Sequence, residues 1–263
     1  NALGGSFISA FAAALTVYWM TKLALPVSTT QAIVGAIIGW NLFSGSITDT
    51  GALFKILGTW VACPLLAAFF AVPIYKGVVI LLRVAKFHII RLDAYTRFAL
   101  IVAGAFGSYS LGANNIANVV GVFVPVSPFT DFHVADLFTF SGVQQLFLLG
   151  SIAIGVGVFT YSKRVMLTVG GDLFPLSPVA AWVVVISHSI VLFLFASQGL
   201  EHLLASAGLP TIPLVPVSSS QAVVGAVIGI GLLKGGKEVQ WGVLVKISTG
   251  WVTTPVISAT VCF

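Results

Sequence analysis

The sequence predicts an all-α fold, a polytopic transmembrane helical bundle with inverted repeats and discontinuous helices, and three observations carry that prediction. Hydrophobic residues make up 58% of the 263 and charged residues only 7%, whereas a soluble domain keeps about a quarter of its residues charged. Mean hydropathy is +1.10, and apolar stretches long enough to cross about 30 Å of hydrocarbon recur from end to end. The third observation is a phrase that occurs twice. PVSTTQAIVGAIIG at 26–39 and PVSSSQAVVGAVIG at 216–229 agree at ten of fourteen positions, and every difference is conservative. Runs such as VAAWVVVISHSIVLFLFA are apolar all round, which excludes an outer-membrane barrel with its alternating strands.

In chain order, crossings are predicted over 4–21, 26–40, 52–72, 98–125, 138–160, 178–199, 214–233 and 241–262. The first ends at Lys22. The second starts on Pro26 with Ser28 and Thr29 behind it, a helix-start signal in which Pro fits the first turn and hydroxyls cap free N–H groups. The third is followed by Lys76, Arg83, Lys86, Arg91 and Arg97, which the positive-inside rule assigns to the cytoplasm. Within the fourth lies LGANNIANVVG, with Asn114, Asn115 and Asn118. Three amides at membrane depth are costly, so a helix broken at Gly112 and unwound around a polar cavity is expected there. The fifth and sixth are flanked by acidic loops, 126–137 and 200–213, and by a basic one, 161–173. The seventh restates the signal with Pro216, Ser218 and Ser219. The eighth contains GVLVKISTGWVTTP, which matches GALFKILGTWVACP of the third at seven of fourteen positions, pairing Lys55 with Lys246, Trp60 with Trp251 and Pro64 with Pro255.

Counting crossings from the basic stretch makes the two copies run in opposite directions. Residues 1–75 then form the C-terminal part of a first inverted repeat, 76–97 a cytoplasmic connecting loop, and 98–263 the second repeat. The chain opens inside a hydrophobic helix without an initiator Met, so the earlier part of the first repeat is expected upstream of Asn1. Inverted repeats with broken helices are the architecture of secondary transporters.

The phrase also predicts chemistry. A helix that starts at membrane depth leaves free N–H groups and a positive dipole end, a ready anion site, and two such ends are expected to converge on one anion. The glycines of GAIIG and GAVIG are read as close helix packing, and Gln31 and Gln221 as members of the same buried layer. Cys63, Cys262 and His188 are read as core residues. No Lys or Arg lies between residues 26 and 54, 98 and 162, or 165 and 233, so the anion is expected to be held without a buried guanidinium. An enzyme is not expected, since HExxH, GxSG and paired aspartates are all absent. The net charge of +5 comes from scattered basic residues, which gives no nucleic-acid stripe.

Together these stretches resemble the PiT (Pho4-like) family of inorganic phosphate transporters, which also includes sulfate permeases and is marked by duplicated GANDxAN and PVSTTH elements. Here GANNIAN, PVSTTQ, PVSSSQ and GKEVQWGVLVKISTGWVTTP carry the likeness over nearly the whole chain. The resemblance implies substrate binding by Ser28, Thr29, Thr30, Asn114, Asn115, Asn118, Ser218, Ser219 and Ser220, with the coupling cation at Asn114, Asn115 and Asn118. It implies secondary active transport of inorganic phosphate by symport with Na⁺ or H⁺. No resident cofactor is implied. The protein would be multi-pass in the lipid bilayer of the cell membrane, alone or as a homo-oligomer. Two departures stand out: Asn115 where the family has Asp, and Gln31 and Gln221 where it has His. Loss of the carboxylate removes the strongest ligand for a hard cation and makes the site less hostile to a dianion. It also removes a natural acceptor for the P–OH proton that distinguishes phosphate from sulfate. A sulfate permease therefore stays open beside phosphate symport, as does, from another class, a passive anion channel.

Overall fold

The computed structural model describes residues 2–85, 88–134 and 138–263. Lys86 of the basic stretch lies outside them. The described chain is helical almost throughout: α1 (Ala2–Lys22), α2 (Thr29–Ser44), α3 (Thr50–Ala85), α4 (Ile89–Val120), α5 (Gly142–Leu167), α6 (Pro178–Leu194), α7 (Gln198–Ser206), α8 (Ser219–Leu233) and α9 (Trp241–Cys262). A 3₁₀ run, Gly121–Val126, follows α4 and a π turn, Thr168–Asp172, follows α5. A three-residue hairpin, β1 (Phe132–Val134) and β2 (Phe138–Phe140), pairs antiparallel with Phe132 opposite Phe140. It is a small departure from the predicted all-α class.

The helix ends follow from local chemistry. Ser28, Ser177, Ser197 and Ser218 cap α2, α6, α7 and α8, each hydroxyl accepting from the N–H three residues on, and Pro178 stands in the first turn of α6. Gly45, at φ 69°, ends α2 in the left-handed conformation that glycine tolerates. At the end of α1 an alanine takes that place. Ala24 has φ 58°, its N–H donates to Thr21 C=O at 3.0 Å and the Leu25 N–H to Met20 C=O at 3.0 Å, the paired bonds of a Schellman cap. The Cβ in that conformation costs about 1–2 kcal/mol. The strain sits two residues before Pro26.

Large apolar side chains remain uncovered on many helices: Leu65, Phe69 and Ile101 are 65%, 68% and 70% exposed. Surfaces of this kind suit hydrocarbon rather than water. The protein is an integral membrane protein. Among the described residues, Ala2–Lys22, Thr50–Ala85 and Gly142–Thr160 are each long and apolar enough to cross a bilayer, and α6 with α7, bent by 62° at their break, pass the same test together as a broken span or a re-entrant loop.

Three expectations need correction. Eight full crossings were expected, but α2 and α8, with 16 and 15 residues, are about 24 and 22 Å long and fall short of the hydrocarbon thickness. They are short helices that start after extended segments, as the predicted discontinuity requires. The stretch 76–97 is mostly helix, because α3 runs on to Ala85 and α4 begins at Ile89. Lys76 and Arg83 end an apolar stripe without breaking a helix, since both are good helix formers. Lastly, α4 continues through Gly112 to Val120 without unwinding.

The helices gather into two compact units that cut across sequence order. One comprises Asn1–Asp49, Asn115–Met166 and Ile247–Phe263, the other Thr50–Asn114 and Leu167–Lys246. In the first, Ala12, Ala13, Ala32, Ile33, Ala36 and Cys262 form a core of small side chains, the residues that let helices approach closely in lipid. Gly35 and Gly39 of α2 lie directly on α9, where a Cβ would overlap the backbone of Pro255 and Ala259. In the second unit Gly225 and Gly229 of α8 lie in the same way on Pro64 and Ala68 of α3. All eight residues occupy matched positions of the duplicated segments.

Candidate functional site

In the first unit the Schellman end of α1 delivers the chain to Pro26, whose C=O accepts from Trp251 Nε1 at 3.0 Å. Ser28 is buried and receives the Gln31 N–H at 3.3 Å. Thr29, exposed, opens α2. Thr30 is fully buried, and its Oγ1 accepts from Asn118 Nδ2 at 2.8 Å. The same Asn118 amide donates to Asn115 Oδ1 at 2.8 Å. That leaves Asn115 Nδ2, in a residue only 7% exposed, without an acceptor. A buried donor without a partner costs about 1–3 kcal/mol. The Thr30–Asn118–Asn115 relay therefore ends in an amide N–H₂ whose hydrogen-bonding capacity is unused.

Beside the relay is a cavity of about 440 Å³, lined by Ala14, Tyr18 and Thr21 of α1, Thr29 of α2, Asn118 of α4 and Gly157 of α5 among others. Its size falls within the range of small-molecule sites. Its polar lining consists of hydroxyls and an amide, and among the described residues that line it none is Lys or Arg. The N-terminal N–H groups of α2 and its positive dipole end belong to the same cluster.

The second unit arranges the matching elements differently. Ser218 is buried and accepts from the Gln221 N–H at 3.3 Å, its C=O receives Cys63 Sγ at 3.3 Å, and its hydroxyl lies 3.2 Å from that of Ser220. Ser219 and Ser220 are half-buried. Asn114 clamps the extended segment ahead of α8: its Oδ1 accepts from the Val217 N–H at 2.9 Å and its Nδ2 donates to Val215 C=O at 3.3 Å. These are backbone groups that an extended segment at membrane depth would otherwise leave unsatisfied.

The nine predicted site residues thus divide by unit. Ser28, Thr29, Thr30, Asn115 and Asn118 come together in the first, and Asn114, Ser218, Ser219 and Ser220 in the second. Asn114 and Asn118 find partners in Val215, Val217 and Thr30, residues about a hundred positions away in sequence, while Asn115 accepts from Asn118 within the helix, so two of the three amides are met without opening α4 at Gly112.

Two site features were not foreseen. Gln31 and Gln221 follow Ser28 and Ser218 at capping-box spacing, where the glutamine should reach back to the serine N–H. Only the serine half is formed, and both Oε1 atoms are buried without a partner. The other is the bond from Trp251 to Pro26, whose counterpart is missing because Trp60 Nε1 is buried and unpaired. The S-x-x-Q spacing was visible in the sequence, but whether the box closes is decided by packing.

The model of the phosphate transporter family matches residues 2–262. A Methanocaldococcus jannaschii protein named "Putative phosphate permease" is 27% identical over 263 residues, covering all of this chain and 74% of its own length. A Pyrococcus furiosus protein of the same name is 22% identical, covering 95% of this chain and 73% of its own. The Xenopus laevis sodium-dependent phosphate transporter 1-A is 26% identical over 163 residues, 62% of this chain and 21% of its own. No solved structure matches. With the family model covering the described helices from end to end, the chain belongs to the phosphate transporter family.

Proposed function

We propose that the protein is a phosphate permease of the cell membrane, a secondary active transporter that moves inorganic phosphate by symport with a cation. The observation that carries this reading is the cluster at the start of α2. It combines a capped helix N-terminus, the Thr30–Asn118–Asn115 relay ending in an unpaired buried N–H₂, and an adjoining cavity whose described lining residues include no Lys or Arg. Such a set of neutral donors suits an oxyanion that must be bound and then released, because a fixed cation beside it would hold it too tightly. In this reading Ser28, Thr29, Thr30, Asn115 and Asn118 hold phosphate in the first unit, and Ser218, Ser219 and Ser220 supply the matching hydroxyls in the second. The oxygens of Asn114 and Asn115 each accept one hydrogen bond, from the Val217 N–H and from Asn118, and each keeps a second lone pair, so in this reading Asn115 Oδ1 and Asn118 Oδ1 are the amide ligands that the first unit offers to the coupling cation. The name of the Xenopus relative, a sodium-dependent transporter, favours Na⁺ over H⁺.

The test is uptake of radiolabelled phosphate into proteoliposomes under imposed Na⁺ or H⁺ gradients. Concentrative uptake that collapses with an ionophore is expected, and Ser28→Ala and Asn118→Ala should each lower it about tenfold or more, as expected when a buried bond to a bound anion is lost. Uptake that only equilibrates would replace the symporter with a channel. Unchanged uptake in both variants would remove the site.

A further inference from the structure

A second cavity, of about 230 Å³, lies within the second unit where α3, α4 and α6 meet. From α4 it takes Leu92, Tyr95, Thr96 and Ala99, the i, i+3, i+4, i+7 spacing of one helix face. Leu81 near the end of α3 and Trp182 near the start of α6 close its sides. Two of its polar groups are turned on the protein itself: the Thr96 hydroxyl donates to Leu92 C=O at 2.8 Å and Trp182 Nε1 to Ala99 C=O at 3.1 Å. Leu81 and Tyr95 are 59% and 55% exposed, so the cavity is a groove open at its side.

The groove has a charged end and an apolar one. Arg91, exposed, stands one turn before Tyr95 on the same face of α4, and Arg83 follows Leu82 in the last turn of α3. The single acid between residues 76 and 97, Asp93, is engaged by Arg97 at 2.9 Å, so it does not neutralise Arg91. From Leu92 to Ala99 the wall extends about 10 Å along α4, and among the described residues that line it none is charged. Tyr95 and Trp182 are of the residue types that gather where headgroups meet hydrocarbon. A soluble anion gains nothing from the apolar wall, and a neutral lipid gains nothing from the arginines. An amphiphile with a negative head and a hydrocarbon tail satisfies both. We propose that the groove binds an anionic phospholipid, with one acyl chain lying along α4 and the phosphate-bearing headgroup on Arg91. Basic pockets between membrane helices suit such headgroups, and inside a bilayer a fitted wall holds the chain by close packing.

The experiment reads Trp182 in the full chain, reconstituted in phosphatidylcholine vesicles with a small, equal fraction of brominated phosphatidylglycerol or brominated phosphatidylcholine. Bromine on an acyl chain quenches a tryptophan that it touches, and the share due to Trp182 is the part lost in Trp182→Phe. Brominated phosphatidylglycerol should half-quench Trp182 at an about fivefold lower fraction than brominated phosphatidylcholine, the enrichment expected of one basic residue near an anionic headgroup. Arg91→Gln, at an exposed position, should abolish that preference, and Arg91→Lys should keep it. Ala99→Leu narrows the groove and should weaken quenching by phosphatidylglycerol. Equal quenching by the two lipids in the wild type means that bulk lipid passes Trp182, and overturns the proposal. A preference that survives Arg91→Gln overturns it as well, because the headgroup then sits elsewhere. Quenching by neither lipid overturns it too, since the groove is then covered by protein, whether a second copy of this chain or another helix.

Discussion

Alanine at Gly112 and alanine at Gly225 should have opposite effects on stability. Both glycines lie inside helices, α4 and α8, and both would gain the preference for alanine over glycine in a helix interior, about 0.8–1 kcal/mol. At Gly112 a Cβ meets nothing within 4 Å, so the gain is uncancelled. At Gly225 the Cβ would lie 2.5 Å from Pro64 Cα and 2.7 Å from its carbonyl carbon. Those are backbone atoms that no rotamer change can move, so α8 and α3 must separate. Overpacking of this kind costs about 1–3 kcal/mol. The balance is a gain of about 1 kcal/mol for Gly112→Ala against a loss of up to about 2 kcal/mol for Gly225→Ala. In a chain of this size 1 kcal/mol moves Tm by about 2–4 °C. Thermal unfolding of the purified protein in one detergent, followed by tryptophan fluorescence, should show Gly112→Ala above the wild type and Gly225→Ala below it. The reasoning fails if Gly112→Ala lowers Tm or abolishes phosphate uptake, because that glycine would then be working as a break in α4 and not as an ordinary helical residue.

Ala24→Gly relieves the left-handed strain at φ 58° and should raise stability by about 1 kcal/mol in the same melts; a lower Tm would mean the Schellman end of α1 tolerates alanine without cost. Trp251→Phe removes the 3.0 Å bond to Pro26 and should cost about 1 kcal/mol, whereas Trp60→Phe removes an unpaired buried N–H and should be neutral or stabilising, so equal losses in the two variants would contradict the difference between them. Asn114→Ala leaves the Val217 N–H and Val215 C=O without partners and should cost about 2–3 kcal/mol, appearing first as lower folded yield with the phosphate KM of the surviving protein little changed.

What could be read from the sequence was whatever is decided within a few residues. Ser28 and Ser218 announced helix starts, and each caps the helix that follows it. The paired glycines of GAIIG and GAVIG announced close packing, and each pair lies against a neighbouring backbone. What could not be read depended on partners far away along the chain. The pull of the amides toward an unwound segment is real, but for two of the three it is answered by Thr30 at 88 residues from Asn118 and by Val215 and Val217 at 101 and 103 from Asn114. With those partners in place an intact helix is the lower-energy choice. The end of α3 was misplaced for a simpler reason: Lys76 and Arg83 mark charge, and charge says nothing about where i to i−4 bonding stops.

The duplicated phrase keeps its glycines for a reason that becomes plain when contacts are followed within each unit. Gly35 meets Pro255 and Gly39 meets Ala259, while Gly225 meets Pro64 and Gly229 meets Ala68. Each serine-led helix therefore packs on the proline-bearing helix of the other copy. Proline removes one backbone N–H from α9 and from α3 and leaves the carbonyl four residues earlier without its usual partner. In both units that earlier residue is a tryptophan, Trp251 before Pro255 and Trp60 before Pro64, so a bulky ring stands where the helix is weakest. A glycine on the facing helix is the residue that allows the backbones to close over this point, and any side chain there would hold them apart. Because the exchange makes each unit depend on both copies, a substitution in one phrase loosens the helix contact of one unit while leaving the other unit's contact intact. Gly35→Ala and Gly225→Ala should accordingly destabilise by similar amounts, and their losses should add in the double variant, as expected for contacts without shared partners. A double variant no less stable than either single one would show that the two contacts are not independent.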